Sequence, residues 1–284
     1  MSKFSIISDE RVQKWYKIWL LCRKMLTFAA WIDKSMKDLL VSVIMPAYNA
    51  AKYIGESIRS VMRQTYPDWE LLVVDDCSTD DTYAIAQSFA REDSRIRVLQ
   101  TPVNSRTAVC RNLAMKYAQG QYLAFLDSDD LWLPTKLETQ LQFMQEHHYA
   151  FTFTDYTIIQ ADGTETGKRI RVPESIGYHQ YLRNTIIGCL TVMIDVSQTG
   201  RFEEPRLYSA QDMAGWLQIM KRGFRAYGLN EALSVYRLHR HTNTHNKFKA
   251  AMRIWRVYSL EELNFFYAFF CWIGYAFNAV KKRL

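Results

Sequence analysis

Cysteine is scarce: five residues in 284 (Cys22, Cys77, Cys110, Cys189 and Cys271), odd in number, scattered and never in a CxxC pair. That usage argues against a disulfide framework and a zinc cluster and fits a reducing cytoplasm. Eleven glycines and six prolines are too few for a collagen-like or low-complexity chain. Residues Met1 to Glu10 hold no apolar core and no small-residue cleavage site, so no signal peptide is expected. No internal repeat is visible. What is present, 49% hydrophobic and 23% charged residues, belongs to a folded chain rather than a disordered one. The length fits one large α/β domain or two small ones.

The net charge of +7 is not spread evenly. Residues 1–40 carry eight Lys/Arg against four Asp/Glu, and residues 247–284 carry seven against two, while 41–246 holds 21 against 23. A nucleic-acid binder more often distributes its positive charge over the folded body, so no nucleic-acid partner is expected. Basic ends around a near-neutral middle suit docking on an anionic membrane surface. Between Trp15 and Ile32, apolar residues recur at helical spacing, with Lys17 and Lys24 on another face. A helix packed on the protein's own core would read the same way.

From Leu263 to Val280 eighteen residues carry no charge, and Lys281, Lys282 and Arg283 follow. That length is marginal for a hydrocarbon core of ~30 Å. A single crossing would also put the closing cations on the side opposite the body, against the positive-inside tendency if that body is cytoplasmic. Peripheral or monotopic attachment at the cytoplasmic face is the expectation. The expected organisation is an amphipathic extension over 1–40, a catalytic domain over 41–246 and membrane-associating helices over 247–284.

The middle alternates strand and helix. Strands are expected at 41–45, 70–76, 96–100 and 122–127, with helices over about 50–63, 80–91 and 107–118, and Pro134 in the first turn of a fourth. Apolar, β-branched runs separated by helices predict a mostly parallel sheet covered on both faces, with ligands beyond the carboxyl ends of the strands. Each strand leads into residues that can do chemistry: Pro46–Tyr48, Asp75–Asp76, Asn104 and Asp127–Asp130. On extended backbone Asp127 and Asp129 would project to one side, where paired carboxylates suit Mg²⁺ or Mn²⁺ bound partly through substrate phosphates. A solvated acidic turn is the plainer reading. Asp75 or Asp76 could accept hydrogen bonds from a pyrimidine base, one of them being structural, and Tyr48 could stack on it or simply pack.

Taken in order, VSVIMPAYNAAKYI, VVDDCSTDDT, Arg111-Asn112, GQYLAFLDSDDLWLPTKL and a later carboxylate before Trp216-Leu217 resemble the inverting glycosyltransferases of family 2, which have the GT-A fold, over residues 41–246. The resemblance implies a nucleotide-diphosphate sugar, most often a UDP-sugar, over a divalent metal, Mn²⁺ or Mg²⁺. It implies that Tyr48 and Asp76 hold the uracil, that Arg111 lies close to the nucleotide, and that Asp127 and Asp129 form the aspartate pair, with Asp129 the more direct metal ligand. The general base maps to Asp212, preceded by Gln211 where the family usually has Glu; Asp212 could equally cap the helix that follows. His239 or His241, after Tyr236-Arg237, could complete the metal site or meet the diphosphate, or belong to a solvated loop.

Two departures stand out. Ser105-Arg106 follows Asn104 where the family often has Gly, which adds a cation near the phosphates. No QxxRW-like segment is present, which implies one sugar per encounter rather than processive polymerisation. The implied acceptor is a hydroxyl of a lipid-linked or cell-surface glycan precursor, because an acceptor anchored in a bilayer rewards an enzyme that docks there. A non-catalytic sugar-nucleotide-binding scaffold would be expected to lose Asp212 or the aspartate pair. A nucleotidyltransferase predicts a Gly-rich basic loop where this chain has PAYNAAKYIG.

Overall fold

Buried runs of apolar residues set up the first half of the molecule. The computed structural model describes residues 39–239 and 247–281. The amphipathic stretch at 15–32, and Arg240 and His241, lie outside the described residues. β1 (Val41–Ala47) leads through α1 (Ile54–Met62) to β2 (Trp69–Asp75), then α2 (Thr82–Glu92), β3 (Ile96–Gln100), α3 (Thr107–Tyr117) and β4 (Tyr122–Phe125). β1 and β2 are buried along their whole length, as strands covered on both faces must be. These four strands pair in parallel in the order β3-β2-β1-β4.

The second half is mixed. β5 (Leu131–Trp132), α4 (Lys136–His147), β6 (Phe151–Gln160), β7 (Glu165–Ile170), β8 (Ser175–Ile176) and α5 (Tyr178–Tyr181) precede β9 (Met193–Asp195), α6 (Val196–Thr199), α7 (Gln211–Lys221) and β10 (Ala226–Leu238). β9 runs antiparallel to both β4 and β6, β10 lies parallel to β6, and β5 closes the sheet antiparallel to β10. Beside β10 the chain passes so close that a Cβ at Gly228 would stand 2.1 Å from the Pro173 carbonyl oxygen. Only glycine permits that approach.

The expected elements agree with the observed ones to within a few residues, with one correction. β4 ends at Phe125, and Asp127–Asp130 form a turn closed by the Asp130 N–H on the Asp127 carbonyl at 3.1 Å. The two aspartates therefore do not share a face by strand alternation. The turn brings them to the same cleft instead.

α8 (Lys247–Leu260) and α9 (Phe265–Lys281) follow. Ile254, Val257 and Tyr258 of α8 and Ala268 and Cys271 of α9 join the buried cluster that holds Tyr181, Leu182 and Trp216. The Tyr258 hydroxyl donates to the Leu182 carbonyl at 2.6 Å. The other face of α9 exposes Phe266, Phe270, Ile273 and Phe277, a stripe at helical spacing. No described helix is long and apolar enough to cross a membrane.

Candidate functional site

A polar cleft of about 300 Å³ opens beyond the carboxyl ends of β1, β2 and β4. Pro46, Ala47, Tyr48, Asp76, Thr107, Cys110, Arg111, Asp127, Ser128, Asp129 and Gln211 line it. Ligands bind at this place in open α/β sheets. Larger hollows, of about 530, 510 and 520 Å³, lie elsewhere and are lined by none of the candidate aspartates.

The two aspartates after β2 play different structural parts. Asp75 is fully buried and does not line the cleft; one carboxylate oxygen accepts from the Ser78 N–H at 3.1 Å and Gln100 Nε2 at 3.0 Å. Asp76 lines the cleft. Its Oδ1 accepts from Thr101 Oγ1 at 2.8 Å and the Ser105 N–H at 2.7 Å, and its Oδ2 from the Arg106 N–H at 2.7 Å. Arg106 stands at φ 75, ψ 163, backbone that glycine prefers and that costs a side-chain-bearing residue roughly 1–3 kcal/mol. The Asp76 bonds, charge-assisted, hold it there. Tyr48 is half exposed at the cleft wall, and its neighbour Asn49 ties this loop to the next by accepting from the Thr79 N–H at 2.9 Å.

At the turn after β4, Asp127 accepts from Arg111 Nη2 at 2.7 Å, and Asp129 Oδ2 lies 2.7 Å from His239 Nε2. Arg237, nearly fully buried, fixes the turn: its N–H donates to Asp130 at 2.9 Å, its Nε to the Asp129 carbonyl at 2.9 Å and its Nη2 to Glu56 at 2.6 Å. Burial, and then the neighbouring Asp127 charge, raise the Asp129 pKa, with His239 opposing. Among the described residues no three His, Cys, Asp or Glu side chains are grouped as metal ligands. Even so, two crowded carboxylates beside an imidazole form a donor set that suits Mn²⁺ or Mg²⁺, and the Asp127–Asp129 repulsion is what a cation would relieve.

α7 begins at the cleft. Gln211 lines it, after Ala210 in the left-handed region at φ 62, and Asp212 follows, part-buried, in the first turn. Burial raises the Asp212 pKa and the Arg111 charge opposes the rise. A residue that no sequence signal singles out completes this region. Glu204, fully buried, accepts from Arg111 Nη1 at 3.2 Å. Its backbone is clamped at both ends by Asn112, whose Nδ2 donates to the Glu204 carbonyl and whose Oδ1 accepts from the Glu204 N–H, each at 2.8 Å.

Gly215, one turn after Asp212, lets this segment come close: a Cβ there would meet Phe202 at 3.3 Å and Glu204 Cγ at 3.4 Å. One guanidinium thus faces Asp127, Glu204 and Asp212 and cannot neutralise all three. Burial accordingly pushes Glu204 up to about 7 despite the ion pair. In the sequence, Glu203-Glu204 reads as a solvated turn, with no spacing or neighbour to mark it.

Comparison with known proteins gives the chain's family and fold. A family model described as glycosyl transferase family 2 matches residues 42–203. TuaG of Bacillus subtilis (strain 168), named provisionally as a teichuronic acid biosynthesis glycosyltransferase, is 52% identical over 246 residues, 86% of this chain and 98% of its own. WfgD of Escherichia coli, named as a UDP-Glc:alpha-D-GlcNAc-diphosphoundecaprenol beta-1,3-glucosyltransferase, is 42% identical over 223 residues, 78% of this chain and 86% of its own. Among solved structures, S. aureus TarS in complex with UDP-GlcNAc matches at a TM-score of 0.65 and 24% identity, over 80% of this chain and 67% of that one. The mannosyltransferase PcManGT from Pyrobaculum calidifontis, in complex with GDP-Man and Mn²⁺, matches at 0.60 and 20%, over 78% and 63%. The solved structures establish the GT-A fold. By the family model and these sequence relatives, the chain belongs to glycosyl transferase family 2.

Proposed function

We propose that the chain moves a hexose or N-acetylhexosamine from a UDP-sugar, with inversion and one sugar per encounter, to a hydroxyl of a lipid-linked or cell-surface glycan precursor at the cytoplasmic face of a membrane. One observation carries the reading: Asp76, the Asp127/Asp129 turn and the start of the helix that bears Asp212 border a single cleft. The donor and acceptor classes find support in the names of WfgD, which specifies UDP-Glc and a diphosphoundecaprenol-linked sugar, and of TarS with UDP-GlcNAc. The exposed aromatic stripe of α9, followed in sequence by Lys281, Lys282 and Arg283, supports attachment to an anionic bilayer surface.

In this reading Pro46, Tyr48 and Asp76 receive the uracil, with Asp75 holding the loop from behind, and Arg111 lies beside the nucleotide. Asp127, Asp129 and His239 would hold Mn²⁺ or Mg²⁺, which when bound offsets the charge of the departing diphosphate. Asp212 accepts the proton of the acceptor hydroxyl as that oxygen bonds to the anomeric carbon. The bond from that carbon to the diphosphate oxygen breaks, and its electron pair leaves with UDP. A carboxylate whose pKa is raised by burial is a better base for this step at neutral pH than a fully solvated one.

The test is UDP release by the purified protein with Mn²⁺ over a panel of UDP-sugars and lipid-linked acceptors. Asp129→Ala is expected to abolish turnover, and Asp212→Asn to abolish it while UDP still binds. Undiminished turnover in Asp212→Asn would remove the base from the scheme.

A further inference from the structure

A hidden acid stands behind an acid of the cleft, with one arginine between them. The Glu204 side chain has no exposed surface and does not line the cleft; its two carboxylate oxygens lie 3.2 and 3.5 Å from Arg111 Nη1. Arg111 Nη2 donates to Asp127 at 2.7 Å. Among the described residues no other side chain bonds to the Asp127 carboxylate. One guanidinium is thus shared, a nitrogen each, between a buried carboxylate and one that is 36% exposed in the cleft.

The placement of Glu204 goes beyond neutralising an arginine. Asn112, next to Arg111 on α3, grips the Glu204 backbone at both its N–H and its carbonyl, each at 2.8 Å. Consecutive residues of one helix therefore hold both the backbone and the carboxylate of Glu204. A buried ion pair rarely adds stability over an apolar pair of similar volume, and burial here pushes Glu204 up to about 7. The pair is better explained by its effect on the other partner of Arg111. An undivided guanidinium would spend its whole charge on Asp127 and compete with a divalent cation for that carboxylate.

We propose that Glu204 is a positioning residue: by drawing on Arg111 from behind, it leaves Asp127 free to share a divalent cation with Asp129. This rests on the metal assignment of the proposed function. Glu204 touches neither metal nor substrate and acts only through Arg111. Groups one step removed from a metal ligand commonly set the metal's affinity by about 10–100-fold.

Mn²⁺ is the probe, titrated onto the full-length protein at pH 8 with UDP at saturation, the free ion being read from its electron paramagnetic resonance signal. Glu204→Gln keeps the shape and an oxygen for Arg111 but loses the charge, and should weaken Mn²⁺ about tenfold. A urea midpoint no lower than the parent's separates this weakening from unfolding. In the double variant Arg111→Met/Glu204→Gln the competing cation is gone, and Mn²⁺ should bind at least as tightly as in the parent. A merely structural ion pair would give no such recovery. In turnover, the Mn²⁺ concentration for half the maximal rate should rise in Glu204→Gln by a factor similar to the loss of affinity.

An Mn²⁺ affinity in Glu204→Gln equal to the parent's would overturn the proposal. So would an equal loss in the single and double variants, because Glu204 would then not act through Arg111. A fall in UDP affinity measured with EDTA, with Mn²⁺ affinity unchanged, would assign the pair to the nucleotide and overturn it too. Asp129→Ala separates the proposal from the reading beneath it. If that variant loses Mn²⁺ and Glu204→Gln does not, the metal site stands and only the role of Glu204 falls. If the parent binds no Mn²⁺, or Asp129→Ala binds it as the parent does, both fall.

Discussion

Replacing Glu204 by Gln isolates the competition between burial and ion pairing at the centre of the site. In the folded chain Glu204 has no exposed side-chain surface, and its pKa is pushed from 4.5 up to about 7, burial outweighing the attraction of Arg111. Between those two pH values the unfolded chain has released a proton that the folded chain keeps. Stability at this position is therefore full below about pH 4.5 and is lost as pH rises through about 7. At roughly 1.4 kcal/mol per decade of pH the loss totals about 3 kcal/mol.

The introduced glutamine mimics the protonated acid, keeps an oxygen for Arg111 Nη1 and does not titrate. Glu204→Gln should thus be close to the parent in stability at pH 5 and gain on it by up to about 3 kcal/mol at pH 8. Urea unfolding at the two values, followed by tryptophan fluorescence, measures the difference; Trp216 is fully buried in the same cluster. A variant that instead loses ground as pH rises would mean that Arg111 holds Glu204 below its unfolded value, and the account of three acids around one guanidinium would be refuted.

Activity should fall on the acid side as Asp212, whose pKa burial raises, takes up its proton, with Asp212→Asn lowering kcat by about 10²–10⁴; a pH–rate profile flat down to pH 4 would contradict this. Lys136 is fully buried, its Nζ meets no hydrogen-bond partner and lies 4.1 Å from the Trp132 ring centroid, and burial lowers its pKa from 10.5 to about 7. Its cost is greatest below about pH 7 and fades towards 10.5, so Lys136→Met should raise the urea midpoint more at pH 7 than at pH 10; an equal shift at both would exclude a buried-charge origin. Gly228→Ala drives a methyl into the Pro173 carbonyl, a backbone contact no rotamer relieves, and should cost about 3 kcal/mol or more in urea unfolding; an unchanged midpoint would mean the two segments can part freely.

Much of the first half of the sheet could be read directly from residue order. Apolar runs such as Val41–Met45 and Leu71–Val74 are local signals, because a parallel strand buried on both faces needs no knowledge of its neighbours to look apolar. The clustering of Pro46–Tyr48, Asp76 and Asp127–Asp129 follows from the same rule, since each lies at or just past the carboxyl end of a strand on one edge of the sheet. The later strands were less legible. β9 has three residues and β5 two, and β10 is bulged, so none has enough alternation to show itself.

What the sequence determined by itself was the sheet's parallel half, the family and the types of residue at the strand ends, because those depend on hydropathy over a few consecutive positions and on motif order. What only the tertiary structure decided was which partner each charge has. Asp75 is buried while Asp76 faces the cleft, Asp129 meets His239 across 110 positions, and Arg111 meets Glu204 across 93. Electrostatic neighbours act through space with a strength set by distance and burial, and neither quantity exists until the chain has folded.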